Sequence, residues 1–147
     1  MKNKKYGHKE TIKMANPKNW EIWEAPSQEI LYQTFPEFTC LCPRSSYPDF
    51  AKVHIIMWLN KKTIELKCLK LWLNSFRDTG ISHENATHKI ANTLYDVLDL
   101  RYIFVLMEYS PRGNLTTFPM IQIKRTNNDE PFEINKIKEI LLNRVIK

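Results

Sequence analysis

The sequence predicts an α+β fold, an antiparallel sheet with two consecutive helices packed on one face, plus a C-terminal helix. Three observations predict it. Residues 51–58 alternate, with Ala51, Val53, Ile55 and Met57 on one side and Lys52, His54, Ile56 and Trp58 on the other. That is the period of a strand with one face strongly buried. The period then lengthens: Leu69, Trp72, Leu73 and Phe76 follow i, i+3, i+4, i+7, and Ile90, Leu94 and Val97 form a second buried stripe, as helices require. Strand patterns return only afterwards, at 101–109 and 115–124, so two helices stand in succession between strand pairs.

The elements follow in order. Residues 1–36 carry Pro17, Pro26 and Pro36 among scattered aromatics and read as an irregular arm. Trp20, Trp23 and Tyr32 require it to pack partly on the body, because exposed tryptophan is unfavourable. A catalytic core of 37–124 begins with a short strand-like run, 38–43, and a turn between Pro43 and Pro48. Asn60-Lys61-Lys62 is a second turn, from which 63–66 begins the return strand. Asp78-Thr79-Gly80 ends the first helix, with Gly80 suited to a left-handed cap, and Ser82 is placed to cap the next helix. Pro111-Arg112-Gly113-Asn114 joins the last two strands. Ile134, Ile137, Leu141 and Val145 set the final helix within 132–146. The 147 residues suit one domain, 1–147, without internal repeats.

Composition narrows the function. Hydrophobic residues at 43% and charged residues at 26% are globular values. With 3 glycines there is no Gly-rich phosphate loop, so a nucleotide must be held another way. The net charge of +6 suits an anionic partner, although surplus surface lysine, including Lys2, Lys4, Lys5, Lys13 and Lys18 near the N-terminus, explains it as well. Three cysteines, Cys40, Cys42 and Cys68, argue against a disulfide framework and for a reducing compartment. Neither a signal peptide nor a membrane-spanning run is present, so the expected location is the cytoplasm.

The chemistry-bearing residues fall in separate segments: Phe38-Thr39-Cys40-Leu41-Cys42-Pro43 with Pro48-Asp49-Phe50, then Glu65-Leu66-Lys67-Cys68-Leu69-Lys70-Leu71-Trp72, Ser75-Phe76-Arg77, Ser82-His83-Glu84 and Pro111-Arg112-Gly113. Singly, each has a plain reading. Cys42 serves as a small buried residue, Asp49 as a turn acid, Glu84 as a helix N-terminal acid, and Lys67, Lys70 and Arg112 as a solvated face. Cys40 and Cys42, two apart, share a side of the strand, yet no partner cysteines or suitably spaced histidines complete a metal site. No metal is expected.

Together, in this order, the segments resemble the 7-cyano-7-deazaguanine reductases, the QueF family of queuosine biosynthesis, over roughly residues 37–119. The family pattern is Cys-Pro with Asp seven residues after the Cys, then Glu-x-Lys-x-hydrophobic-Lys-x-aromatic, Ser-Phe-Arg, His-Glu and Pro-Arg-Gly. One position departs, Cys68 standing where the family has Ser or Ala. The resemblance implies the tunnelling fold, with sites formed between subunits of a homo-oligomer of stacked pentamers, a decamer. It implies NADPH-dependent reduction of the nitrile of 7-cyano-7-deazaguanine to an aminomethyl group, without nucleic acid or membrane. Cys42 is then the nucleophile, because a thiolate adds to a nitrile carbon to give a thioimide, a better hydride acceptor. Asp49 is the acid–base group that assists the thiol and later protonates nitrogen. Glu84 is implied to accept the two N–H groups of the guanine-like edge, with His83 as a second wall and Ile64, Glu65 and Leu66 lining the same site. Lys67, Lys70, and Arg112 with its neighbour Gly113 are implied to hold NADPH.

Two other functions fit parts of the pattern. A GTP cyclohydrolase or pterin synthase of the same fold would need zinc ligands that the histidines and cysteines do not supply. A basic RNA-binding module would account for charge and aromatics but not for a Cys–Asp–His–Glu set, and no RNP-type motif is present.

Overall fold

The computed structural model of the chain describes residues 8–126 and 130–146. Lys2, Lys4 and Lys5 lie outside the described residues. A four-stranded antiparallel sheet is ordered β2-β3-β5-β6, from β2 (Ile30–Leu41), β3 (Pro48–Trp58), β5 (Tyr102–Tyr109) and β6 (Met120–Lys124). Helices α2 (Leu66–Asn74) and α3 (His83–Val97) follow each other between β3 and β5 and pack on one face. That face buries Val53, Ile55 and Met57 against Trp72, Ile90, Leu94 and Phe76, and the half-buried Val97 packs at its edge. The helix pair between strand pairs is therefore as the sequence predicts.

The second face is covered too. Helix α4 (Phe132–Val145) lays Ile134 and Leu141 over Ile56, Tyr102, Phe104 and Leu106. This is why the other side of β3 carries Ile56 and Trp58 as well. His54 on the same side is buried at 3% exposure, held between the Tyr32 hydroxyl at 2.8 Å and Glu108 Oε2 at 3.1 Å. Lys138 of α4 pairs with Glu130, which also takes Lys124 at 3.1 Å, so the C-terminal helix is tied to the sheet edge by charge as well.

Several boundaries differ from the sequence reading. The arm is not irregular. It forms α1 (His8–Met14), a short 3-10 turn, β1 (Ile22–Glu24) and most of the 12-residue β2. Prolines hid this: Pro17 opens the 3-10 turn behind an Asn16 cap, and Pro36 sits where the β2–β3 register shifts between Phe35 and Phe38. Trp20 is buried edge-on to Trp72 at 5.0 Å, but Trp23 stays 51% exposed. The segment after Asn60 does not return along β3. It forms β4 (Lys62–Ile64), which pairs with β1, and Leu66 already begins α2. Gly80 has no positive φ and instead bridges Leu41 in parallel, while Ser75 ends α2. Ser82 caps α3 as predicted, accepting from the Asn85 N–H at 3.2 Å.

Candidate active site

The first half of the site is built where β2 ends and β3 begins. Antiparallel register sets Cys40 opposite Asp49 and Leu41 opposite Pro48. Cys42 follows directly, and its turn is closed by the Cys42 N–H donating to Tyr47 O at 2.8 Å and the Ser46 N–H donating to Cys42 O at 3.0 Å. Ser46 takes φ 61, a left-handed conformation that tightens the loop under the thiol. The thiol is partly exposed, unlike the buried Cys40 and Cys68. Hydrogen bonds from the Ser45 side chain, and from the Ser45 and Arg44 backbone, pull its pKa down from 9.0 to about 7, with a further contribution from the Arg112 charge. Near neutral pH about half of it is therefore thiolate, the reactive form.

Asp49 lies beside it at 4% exposure with both oxygens engaged. Arg112 Nη1 donates to Oδ1 at 2.5 Å, and His83 Nε2 lies 3.3 Å from Oδ2. Each partner arrives on a separate element. Leu41 pairs through backbone with Thr79 and Ile81, which leads Ser82 and His83 into the cluster. Arg112 is presented by a two-residue hairpin, its backbone exchanging both hydrogen bonds with Leu115 at 2.9 Å. Gly113 and Asn114 there have φ 54 and 66, the conformation that turn demands and that glycine supplies without strain. Glu84 stands exposed on the first turn of α3, next to His83.

The geometry revises two expectations. Asp49 is taken up by Arg112 and His83, so the donors that lower the thiol's pKa are those of the Cys42 turn, not the carboxylate. Arg112 faces Asp49 and the thiol, apart from Lys67, whose ammonium lies 3.5 Å from Glu10. Sequence reasoning missed Tyr109, whose ring stacks on His83 at 3.6 Å, and did not single out Ser45 within the turn between Pro43 and Pro48. The one signal for Tyr109 was its place at the end of a strand opposite Ala51, two residues from Asp49.

Ile64, Glu65, Leu66, Lys67 and Lys70 are not brought to this cluster within one chain. Asp49 opens β3, whereas Glu65 follows β4 beyond the far end of that strand. At ~3.3 Å per residue β3 spans about 30 Å, and α2 then runs back toward Cys42 from that far end. Glu65 caps α2 there, Oε1 accepting from the Lys67 N–H at 2.8 Å and Oε2 from the Cys68 N–H at 3.1 Å, which lowers its pKa. Ile64 is buried in the core and Leu66 is 64% exposed. Lys67 and Lys70 project from α2 into solvent, three residues apart on one face. That donor set fits the phosphates of a dinucleotide through ammonium groups alone, since Glu65 already occupies the helix N–H groups. Among the described residues no group of three or more His, Cys, Asp or Glu side chains is placed to hold a metal ion.

Comparison with known proteins adds the following. Residues 48–128 match the family described as QueF-like protein. The NADPH-dependent 7-cyano-7-deazaguanine reductase of Aquifex aeolicus is 47% identical over 134 residues, covering 89% of this chain and 97% of its own. That of Sulfurimonas denitrificans is 43% identical over 115 residues, covering 77% of this chain and 92% of its own. Among solved structures, the apo archaeosine synthase QueF-Like superposes with a TM-score of 0.62 at 15% identity, covering 68% of this chain and 98% of that one, a likeness of fold. Family match, identity and the Cys–Asp–His cluster agree: the chain belongs to the QueF family, that of the NADPH-dependent 7-cyano-7-deazaguanine reductases.

Proposed function

We propose that the chain, acting as one domain over 1–147, reduces the nitrile of 7-cyano-7-deazaguanine to an aminomethyl group with NADPH, in queuosine biosynthesis for tRNA modification. The observation that carries the proposal is the partly exposed thiol with a pKa of about 7, beside a buried Asp49 held by Arg112 and His83. Cys42 adds as thiolate to the nitrile carbon, and the developing charge on nitrogen is met by a proton from Asp49, giving a thioimide. Two NADPH molecules bound in succession would each supply one hydride, and Lys67, Lys70, Arg112 and Gly113 would hold each of them. Glu84, exposed and adjacent to His83, accepts the paired N–H groups of the deazaguanine edge.

The separation of Ile64–Lys70 from Cys42 supports a homo-oligomer in which one subunit's α2 start completes another's Cys42 site. We take that assembly to be stacked pentamers, a decamer. Among the described residues no helix is long and apolar enough to cross a membrane, in keeping with a cytoplasmic enzyme.

The test is direct. Incubated with 7-cyano-7-deazaguanine and no NADPH, the protein gains the substrate's mass in intact-protein mass spectrometry and a thioimide absorbance band. Cys42→Ala gains neither, and it consumes no NADPH. An adduct persisting in Cys42→Ala moves the nucleophile to another cysteine, and no adduct on the unaltered protein refutes the covalent route.

A further inference from the structure

The Tyr109–His83 contact is of an unusual kind. The ring centroids are 3.6 Å apart and the planes differ by 9°. At that separation the rings lie almost squarely over one another. Two neutral aromatic rings disfavour this arrangement, because their quadrupoles repel, and they prefer offset or edge contacts at 4.5–7 Å. The sandwich becomes attractive when one ring is a cation resting on the electron-rich face of the other. Tyr109 cannot slide to relieve the contact. It is 2% exposed, and its hydroxyl is held among Cys40 Sγ and Met107 Sδ, each at 3.9 Å.

We propose that Tyr109 is a positioning residue that holds His83 as an imidazolium with Nε2 aimed at Asp49, making His83 the proton reserve for Asp49. The proton-reserve half rests on the nitrile-reductase reading above; the charge-holding half stands on the stack alone. The charged groups around His83 agree with it. Asp49 approaches from β3 with a carboxylate 3.3 Å from Nε2, Glu84 follows on α3, and Arg112 reaches the far side of Asp49 rather than the ring. Cys40 of β2 meets Tyr109's hydroxyl and the Ile81 carbonyl, each at 3.9 Å from its sulfur. Asp49 thus favours the cation, and the Arg112 guanidinium is engaged by the other oxygen of the same carboxylate.

The proton count gives this arrangement a use. Converting R–C≡N to R–CH2–NH2 takes two hydrides and two protons. One proton enters as the thiolate adds and the thioimide nitrogen forms; the first hydride adds to the thioimide carbon, and the C–S bond then breaks, returning the Cys42 thiolate and leaving an imine. The other enters after the second hydride, when the amide-like nitrogen becomes the amine. Asp49 faces His83 as a carboxylate, so each proton it passes to nitrogen must first reach it from His83. Transfer from His83 Nε2 to Asp49 Oδ2 does this and leaves neutral imidazole, which solvent reprotonates at its 21% exposed edge.

The experiment is a histidine NMR titration of the ligand-free full-length protein, with His83 assigned by comparison with His83→Gln. Tyr109→Phe keeps the aromatic face and should titrate as the unaltered protein does. Tyr109→Leu should lower the protonation constant of His83 by roughly twofold to thirtyfold, the span of a cation–π contact. Its kcat should fall, with KM nearly unchanged, and recover as pH is lowered. A ring-fluorinated phenylalanine at position 109 keeps the shape but reverses the face potential, so it gives the same readout should the leucine variant not fold. An unchanged His83 titration in both overturns the proposal. A shifted titration with an unchanged kcat–pH profile overturns the proton-reserve half, whereas absence of the thioimide in unaltered protein refutes the nitrile reading and leaves the titration result standing.

Discussion

Replacing Ser45 with alanine removes the largest of the influences that lower the Cys42 pKa. The sign follows from the charge. A donor to the thiolate favours it, so its loss raises the pKa, and the thiolate population then grows at higher pH. A hydrogen bond to a charged group changes ionisation by roughly tenfold, which moves the midpoint from about 7 to about 8. At pH 7 the thiolate fraction drops from about one half to about one tenth. The remaining thiolate is the more basic one and reacts about threefold faster, from a Brønsted slope of roughly 0.4–0.5. The two effects cross. Alkylation of Ser45→Ala should be about threefold slower than in the unaltered protein at pH 6, equal near pH 7.5, and nearly threefold faster at pH 9. The assay is the rate of alkylation of Cys42 by a small haloacetamide, followed by mass spectrometry; the buried Cys40 and Cys68 leave Cys42 as the accessible thiol. Superimposable profiles would refute the argument that the Ser45 hydroxyl activates the nucleophile, and a uniform slowing at every pH would point to lost access instead.

Other perturbations separate the remaining roles. Asp49→Asn keeps the shape but cannot give or take a proton, so single-turnover adduct formation should slow by roughly 10²–10⁴-fold while the protein still melts cooperatively; wild-type rates in a folded variant would end its acid–base role. Glu84→Gln should weaken binding of the cyano substrate by roughly tenfold to a hundredfold in calorimetry with little change for NADPH, since a charge-assisted pair becomes a partly mismatched neutral one. Glu65→Ala should cost about 0.5–2 kcal/mol in denaturant unfolding through loss of the α2 cap; unchanged stability with weakened substrate binding would instead assign its carboxylate to the ligand.

What could be read in the sequence was what depends on local period and on matched residue types. The alternation of 51–58 and the stripes at Leu69–Phe76 and Ile90–Val97 are local, and each forms the predicted element. The extent of β2 was not legible because Pro36 and the acidic Glu37 interrupt the alternation at a bulge. The pairing of β1 with β4 is non-local and only three residues long, too short to leave a pattern. Cys42, Asp49, His83 and Arg112 were named from the sequence and the fold brings them together, but the sequence could not say that Arg112 would hold Asp49. That contact depends on where the hairpin after Tyr109 points. Tyr109 itself looked like any strand aromatic, because stacking is a property of the folded pair and not of either residue.

The shift in β2 has a consequence for how this chemistry tolerates change. From Ile30 to Phe35 the strand pairs with β3 in one register, and from Phe38 to Leu41 in a register displaced by one residue, with Pro36 and Glu37 set against Lys52 alone. Side chains alternate along a strand, so a displacement of one would ordinarily turn every following residue over. Here the bulge absorbs it, and the half of β2 that packs the partly buried Leu31 and Phe35 against the core is indexed separately from the half that buries Phe38 and delivers Cys40 and Cys42 to Asp49. Insertions or deletions upstream of Phe35 would be taken up by the arm and the core. A single deletion at Pro36 or Glu37 would leave one residue against Lys52 and Phe38 still opposite Ala51, so the strand would lose its bulge while Cys40 kept its place opposite Asp49 and the nucleophile stayed within reach of its acid.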